Sequence, residues 1–323
     1  MAIAFAGTAP FGAAMLRGLL DGPGDGRPGR EIALVISQPD RPAGRGKQLQ
    51  SSPVAQLAKE RGVRLVQPER MHEPELLELY AELGITTFVV AAFGQMVREP
   101  LLSGFLLLNV HGSLLPEYRG AAPIERVIMD GRTETGVDIM QMEAGLDTGP
   151  VAEEARVEIL DEDDAGSVFA KLEAAAVPIL FDALERADTG TLTFTPQPDE
   201  GATYAHKITA PDRMLDPART TRQLHDQVRA LSPHVGAWLN VDGQRLGLWR
   251  TRLVGTDEET HGVSGMPGAI WHDQRQLLLG TADGALDVLE LQPPGKRRMA
   301  SGDWLRGLRT PLERATAPEP PQT

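Results

Sequence analysis

The chain has 323 residues, room for one large or two ordinary domains, and is 41% hydrophobic and 24% charged. It contains no Cys, which excludes a disulfide framework and thiolate catalysis, and its net charge of −13 argues against a general nucleic-acid binder. No apolar run reaches the length of a membrane span, and Met1–Gly7 lacks the basic region and cleavage site of a secretory signal, so the expected location is cytoplasmic. The charge is unevenly placed. Residues 1–200 hold 17 of the 32 Lys and Arg but 31 of the 45 Asp and Glu, whereas the remainder is close to neutral at +1. Contact with a phosphate backbone should therefore use the second part or a local patch in the first.

Ile3–Phe5 reads as a strand and Phe11–Leu20 as a helix that begins after a Gly-Thr-Ala-Pro turn. Asp21–Arg30 carries four Gly and two Pro and is expected to be a mobile loop. Ile32–Ile36 is a second strand. Ser52 and Pro53 open a helix that runs to Arg61, with Gly62 placed to end it. Val63–Val66 is a strand, and Glu73–Leu83 is a helix stopped by Gly84. Ile85–Ala92 and Phe105–Val110 are almost wholly apolar, as central strands covered on both faces should be. Ala122–Met129 is helical, Gly136–Met142 is a strand, and Asp164–Arg186 is a long amphipathic helix that Pro178 bends or splits.

This alternation implies an α/β fold, with βαβ units and a mostly parallel, Rossmann-like sheet over residues 1–194. A linker follows at 195–208, centred on Thr195-Pro196-Gln197-Pro198-Asp199. Within 209–314, Thr220–Leu231 is helical. Short strands then succeed one another at Gly236–Val241, Arg245–Arg250, Ala269–Trp271, Gln276–Gly280 and Ala285–Leu291. Asp242-Gly243 and Asp283-Gly284 turns between them predict a small β-barrel. The Pro-rich, polar end, 315–323, is expected to be disordered.

Asn109 and His111 end one of the central apolar strands. Two residues apart, they point to the same side of it. His111 can exchange a proton near neutral pH, and the Asn109 amide can donate to a developing oxyanion without exchanging one. Asp147, in Gly145-Leu146-Asp147-Thr148-Gly149-Pro150, could orient the imidazole or take up charge from an attacking amine. Together the three suit transfer of a carbonyl carbon to nitrogen. The plainer alternative is that His111 caps a strand end and Asn109 fastens a turn. A metal site has little support, because His111 has no second His at a useful spacing. Gly7-Thr8-Ala9-Pro10-Phe11-Gly12 could cradle an anion at a helix start, although it matches neither GxGxxG nor a Walker loop. Arg41, Arg45 and Lys47 lie on a Pro/Gly-rich basic loop that either clamps phosphates or is simply solvated.

The chain resembles the methionyl-tRNA formyltransferase family. The resemblance is carried by Arg41-Pro42-Ala43-Gly44-Arg45-Gly46-Lys47, by Asn109-Val110-His111-Gly112-Ser113-Leu114-Leu115-Pro116 and by Tyr118-Arg119-Gly120-Ala121-Ala122-Pro123-Ile124. It continues through Gly136–Met142 and Gly145–Gly149. In the second part it includes Tyr204-Ala205-His206-Lys207-Ile208 and Leu291-Gln292-Pro293-Pro294-Gly295-Lys296. It implies a formyltransferase variant of the Rossmann fold followed by an OB-like barrel that contacts tRNA. The implied donor is 10-formyltetrahydrofolate and the implied acceptor the α-amine of methionyl initiator tRNA, which attacks the formyl carbon to give a tetrahedral intermediate; the implied enzyme is a monomer without a metal. Carried over, Asn109, His111 and Asp147 are catalytic. Ala91, Ala92, Phe93, Gly94, Ser113, Leu114, Leu115, Pro116, Met140, Gln141 and Gly145 line the folate site. Arg41, Arg45, Lys47, Lys207 and Lys296 contact tRNA. The alternatives are a sugar-nucleotide N-formyltransferase and a catalytically idle nucleic-acid-binding scaffold. The stretch Ala210–Pro217 departs from the family pattern, and the second part is less basic than an RNA-holding module should be.

Overall fold

The computed structural model describes residues 1–43 and 48–318. Continuous apolar runs become the centre of a seven-stranded sheet. Its strands are β1 (Ala2–Gly7), β2 (Ile32–Ile36), β3 (Leu65–Val66), β4 (Ile85–Ala91), β5 (Leu106–His111), β6 (Glu134–Gln141) and β7 (Val151–Glu158), in the order β7-β6-β5-β4-β1-β2-β3. The pairs β1–β2, β1–β4, β2–β3 and β4–β5 are parallel, and β6 runs antiparallel to β5. Parallel neighbours require crossover connections, supplied by α1 (Pro10–Asp21), α2 (Pro53–Arg61) and α3 (Pro74–Glu82), and between β4 and β5 by a loop with one short helical turn, Leu101–Gly104. The chain leaves β1 toward β2 and β3, then returns to β4 on the other side of β1. In such sheets, the place beyond the carboxyl ends of β1 and β4, where that reversal falls, is where ligands bind.

Local chemistry explains the helix ends. The Ser52 side chain accepts from the Ala55 N–H at the start of α2, and Gly62 ends it in the left-handed region at φ 66°. The helix α4 (Pro123–Met129) is short, whereas α5 (Ala165–Thr189) is one continuous helix with Pro178 inside it. The glycine-rich segment after α1 is anchored, not loose. Arg27 pairs with Asp182 at 2.7 Å, and a Cβ on Gly29 would meet the Leu20 carbonyl at 1.9 Å, so the backbone passes directly over the helix end. Composition registered the glycines but not these long-range partners.

Contacts divide the chain into two compact units. One comprises Met1–Gly120, Glu134–Val157 and Phe169–Tyr204, and the other Ala121–Thr133, Glu158–Val168 and Ala205–Thr323. A linear division at a linker does not anticipate that 121–133 and 158–168 join the second unit.

The second unit is built on α6 (Thr221–Leu231), whose Thr220 and Gln223 form a reciprocal capping box, and on a set of antiparallel strands. These are β8 (Ala237–Val241), β9 (Gln244–Leu253), β10 (Ile270–His272), β11 (Leu277–Gly280), β12 (Ala285–Gln292) and β13 (Ala315–Thr316), in the order β10-β11-β12-β9-β8-β13. An Ala269–Arg314 bridge brings the two ends of that order together, giving a nearly closed barrel. Inward residues alternate along β8, where Ala237, Leu239 and Val241 are buried, and they join Leu224, Val228, Leu286 and Leu291 in one core. The expected disordered tail needs correction at its start. Ala315 pairs with Val241 and is buried, because two residues suffice to fill the barrel's last edge. Among the described residues no helix is long and apolar enough to cross a membrane.

Candidate active site

His111 is 5% exposed at the end of β5, and its Nε2 lies 3.0 Å from the Tyr118 carbonyl. A carbonyl only accepts, so Nε2 carries the hydrogen and the neutral ring keeps its lone pair on Nδ1. Nδ1 faces Asp147, with Oδ2 3.8 Å away. That is too long for a hydrogen bond but close enough to stabilise positive charge arriving on the ring. Asp147 Oδ2 is itself held by the Gly120 N–H at 2.8 Å. Asn109 lies two residues before His111 on the same strand and therefore on the same face. Its amide makes no hydrogen bond among the described residues.

The loop that carries Asp147 is tight. Asp147 has φ 52°, in the left-handed region that a residue with a side chain seldom occupies. A Cβ on Gly149 would sit 1.9 Å from the Gln141 carbonyl, and one on Gly145 would sit 2.2 Å from Thr148 Oγ1. Glycine is a steric requirement at 149, where the obstructing atom is backbone, whereas a side chain at 145 would displace Thr148.

Asp138 is opposite His111 in the β5–β6 register and is completely buried. One of its oxygens accepts from the Leu115 N–H at 2.7 Å, and the other has no partner. Burial, opposed by the Leu115 hydrogen bond, pushes its carboxyl up to about 7. In the sequence Asp138 sits within the Gly136–Met142 motif with nothing local to mark a role for it.

The residues expected to line a folate site fall into two groups. Ala92 and Gly94 have positive φ, are exposed, and flank the Phe93 carbonyl, which Thr8 and Gln38 hold by hydrogen bonds of 2.8 and 2.9 Å. Leu114, Leu115, Pro116 and Gln141 are partly exposed, and Gly145 is exposed. By contrast Ala91, Ser113 and Met140 are buried. Ala91 pairs with Gly7 inside the sheet, and Ser113 donates to the Glu117 carbonyl, so both brace the loops behind the crevice. Just after Gly94 is a cavity of about 270 Å³ lined by Arg70, His72, Gln95 and Arg98 among others. His72 Nδ1 and Gln95 Oε1 are buried there without partners.

Of the basic residues expected at tRNA, Arg41 is exposed on a short hairpin strand, Arg41–Ala43, and Lys207 and Lys296 are exposed in the second unit. Arg45 and Lys47 lie outside the described residues. The divergent stretch after Lys207 is well fastened. Asp212 accepts from both terminal nitrogens of Arg126 and from the Thr209 N–H and hydroxyl.

A family model described as formyl transferase matches residues 1–184, and one described as formyl transferase, C-terminal domain, matches residues 207–309. The methionyl-tRNA formyltransferase of Alcanivorax borkumensis is 42% identical over 308 residues, covering 94% of this chain and 91% of the relative. The chain belongs to the methionyl-tRNA formyltransferase family. Another member, from Symbiobacterium thermophilum, is 40% identical over 325 residues, 99% of this chain and 97% of the relative. Among solved structures, WlaRD, a sugar 3N-formyl transferase determined in the presence of dTdp and 5-N-formyl-THF, superposes with a TM-score of 0.63. It covers 92% of this chain and 99% of that one at 16% identity. At that distance WlaRD shares the fold, whereas family membership rests on the relatives alike along nearly their full length.

Proposed function

We infer that this chain is a folate-dependent formyltransferase that passes the formyl group of 10-formyltetrahydrofolate to the α-amine of methionyl initiator tRNA. Family membership along both compact parts of the sequence carries that reading. The residues present suit such a donor. The Asn109 amide is free among the described residues, Ala92 and Gly94 are exposed just past the end of the neighbouring strand whose Val90 pairs with Asn109, and Gln95 and His72 hold buried polar atoms in want of partners. Arg70 and Arg98, lining the same cavity, suit the carboxylates at the donor's far end. The donor, when bound, supplies an electrophilic formyl carbon to the incoming amine.

The roles of this chain's own groups follow from their geometry. Asn109 donates its amide N–H groups to the oxygen on which negative charge develops. His111 takes the amine's proton at Nδ1, because Nε2–H is committed to Tyr118. Asp147 balances the resulting imidazolium across 3.8 Å, a gap that closes as charge appears. Arg41, Arg45, Lys47, Lys207 and Lys296 meet tRNA phosphates, a use of local cations that does not depend on the overall charge of the chain. On this reading the enzyme works as a monomer in the cytoplasm.

The test offers charged initiator tRNA and an amino-sugar nucleotide side by side with saturating donor. Formyl transfer should go to the tRNA, and His111→Ala should lower kcat by roughly 10²–10⁴-fold. Turnover of the sugar nucleotide alone would overturn the acceptor assignment, and an His111→Ala rate near the parent's would overturn the role of the imidazole.

A further inference from the structure

Segment 195–199, which composition marks only as a connection, reaches the reaction centre. Gln197 Nε2 donates to the carbonyls of Asp147 at 2.9 Å and Gly149 at 2.6 Å. Gln197 Oε1 accepts from Nε and Nη2 of Arg119 at 3.0 and 2.7 Å. Carbonyls only accept and a guanidinium only donates, so these four bonds determine which end of the amide is which. Two residues earlier, Thr195 and Val151 exchange a pair of backbone hydrogen bonds at 2.8 Å. The segment is therefore laid along the exit of the Asp147 loop.

Arg119 links this arrangement to His111. It is 8% exposed and sits between Tyr118, whose carbonyl receives His111 Nε2, and Gly120, whose N–H holds Asp147 Oδ2. Three successive residues thus fix the imidazole, the Gln197 amide and the carboxylate. The loop needs such bracing, since Asp147 occupies a left-handed conformation that persists only where neighbours over-determine it. Without it, small drifts of the carboxylate would misplace charge relative to Nδ1.

We propose that Gln197, oriented by Arg119, is a positioning residue that clamps the Asp147 loop and sets the carboxylate's distance from His111 Nδ1. The Gln197 clamp rests on the formyl-transfer reading for the rate it controls. Its rival is a Gln197 that serves only to give a buried Arg119 an acceptor.

Gln197→Glu separates the two, because it keeps an acceptor for Arg119 but replaces the donor facing both loop carbonyls with an oxygen. The clamp predicts a fall in kcat of about tenfold or more, with KM for donor and for charged tRNA changed by less than about threefold. In an Asp147→Asn background the same substitution should alter kcat by less than about twofold, since the group it positions is already gone. Hydrogen exchange at the Gly120 amide, which Asp147 Oδ2 holds, should quicken by about tenfold while the unfolding midpoint stays near the parent's. A Gln197→Glu kcat within about twofold of the parent, or losses that multiply in the double variant, overturns the clamp. Should the parent chain fail to formylate charged tRNA, the functional reading falls. Gly120 exchange then decides the clamp, with unchanged protection overturning it.

Discussion

Buried polar groups are handled differently in the two compact units. Among the described residues, the buried side-chain atoms left without partners are His72 Nδ1, Gln95 Oε1, Thr135 Oγ1 and Asp138 Oδ1, and all belong to the N-terminal unit. The barrel unit instead saturates its polar interior. Arg229, 7% exposed, gives Nε to Asp226 at 2.7 Å and Nη1 to the carbonyls of Leu160 and Asp163 at 3.0 and 3.1 Å. His225 meets Thr251 through Nδ1 and the Asp161 carbonyl through Nε2. Unsatisfied groups are costly, so they persist where a ligand or a reaction uses them, while a satisfied network specifies structure. The first unit tolerates incomplete bonding, at His72 and Gln95 in the cavity after Gly94 and at Asp138 beside His111, and the second uses its polar groups to hold 158–168 against α6.

The contrast is most exposed at Arg229. Replacing it with Met leaves Asp226, with a 2% exposed side chain, as a buried charge with only the partly exposed Arg222 3.8 Å away. The expected loss is about 3–5 kcal/mol, read by chemical denaturation. A loss below about 1 kcal/mol would mean the network is no more structural than a surface pair.

Asp138 tests the opposite unit. Burial pushes its folded carboxyl up to about 7 from the ordinary carboxylate value of 3.8 that it keeps in the unfolded chain, so the native state binds more protons between those limits. Its contribution to stability therefore falls as pH rises through that window, reaching its full cost above pH 7. Asn cannot ionise and still accepts from the Leu115 N–H. Asp138→Asn should thus match the parent near pH 4 and exceed it above pH 7 by up to about 4 kcal/mol. A difference independent of pH, in thermal unfolding followed from pH 4 to 8, would rule out that titration.

The smallest expected effect is at the capping box of α6. Thr220→Ala should cost about 1 kcal/mol, seen as a modest drop in unfolding midpoint without a change in formyl transfer. A large loss of transfer from this cap would blur the division between a crevice unit and a structural one.

What could be read from the sequence follows the same physics. Ser52-Pro53 to Gly62, and the apolar runs of β4 and β5, announce themselves because caps and burial act locally. The residue types of His111 and Asp147 suggest shared chemistry and the two do lie together, although no spacing rule gives the 3.8 Å between them. Gln197 is invisible within its Pro-flanked segment because it acts on backbone carbonyls, which leave no residue signature. Ala315-Thr316 were too short for any periodicity and take strand form from β8, more than seventy residues earlier. The orientation of β6 was also hidden: an apolar run says strand, but not which way it runs.

The interleaving of the units bears on how such a protein can be recombined. Exchanging everything after residue 205 between two relatives would move α6 but leave 121–133 and 158–168 behind. A transplanted Arg229 would then have to find carbonyls supplied by a foreign Leu160 and Asp163. Because those acceptors are backbone, side-chain divergence at 160 is tolerable, whereas a one-residue insertion is not, and neither is loss of the buried Asp163 carboxylate, which accepts from the Leu160 N–H at 2.7 Å and the Ser167 hydroxyl at 2.8 Å. The seam that matters for shuffling is therefore a matter of chain length in 158–168, and crossovers that preserve it should yield folded hybrids even where the two parents share few identities.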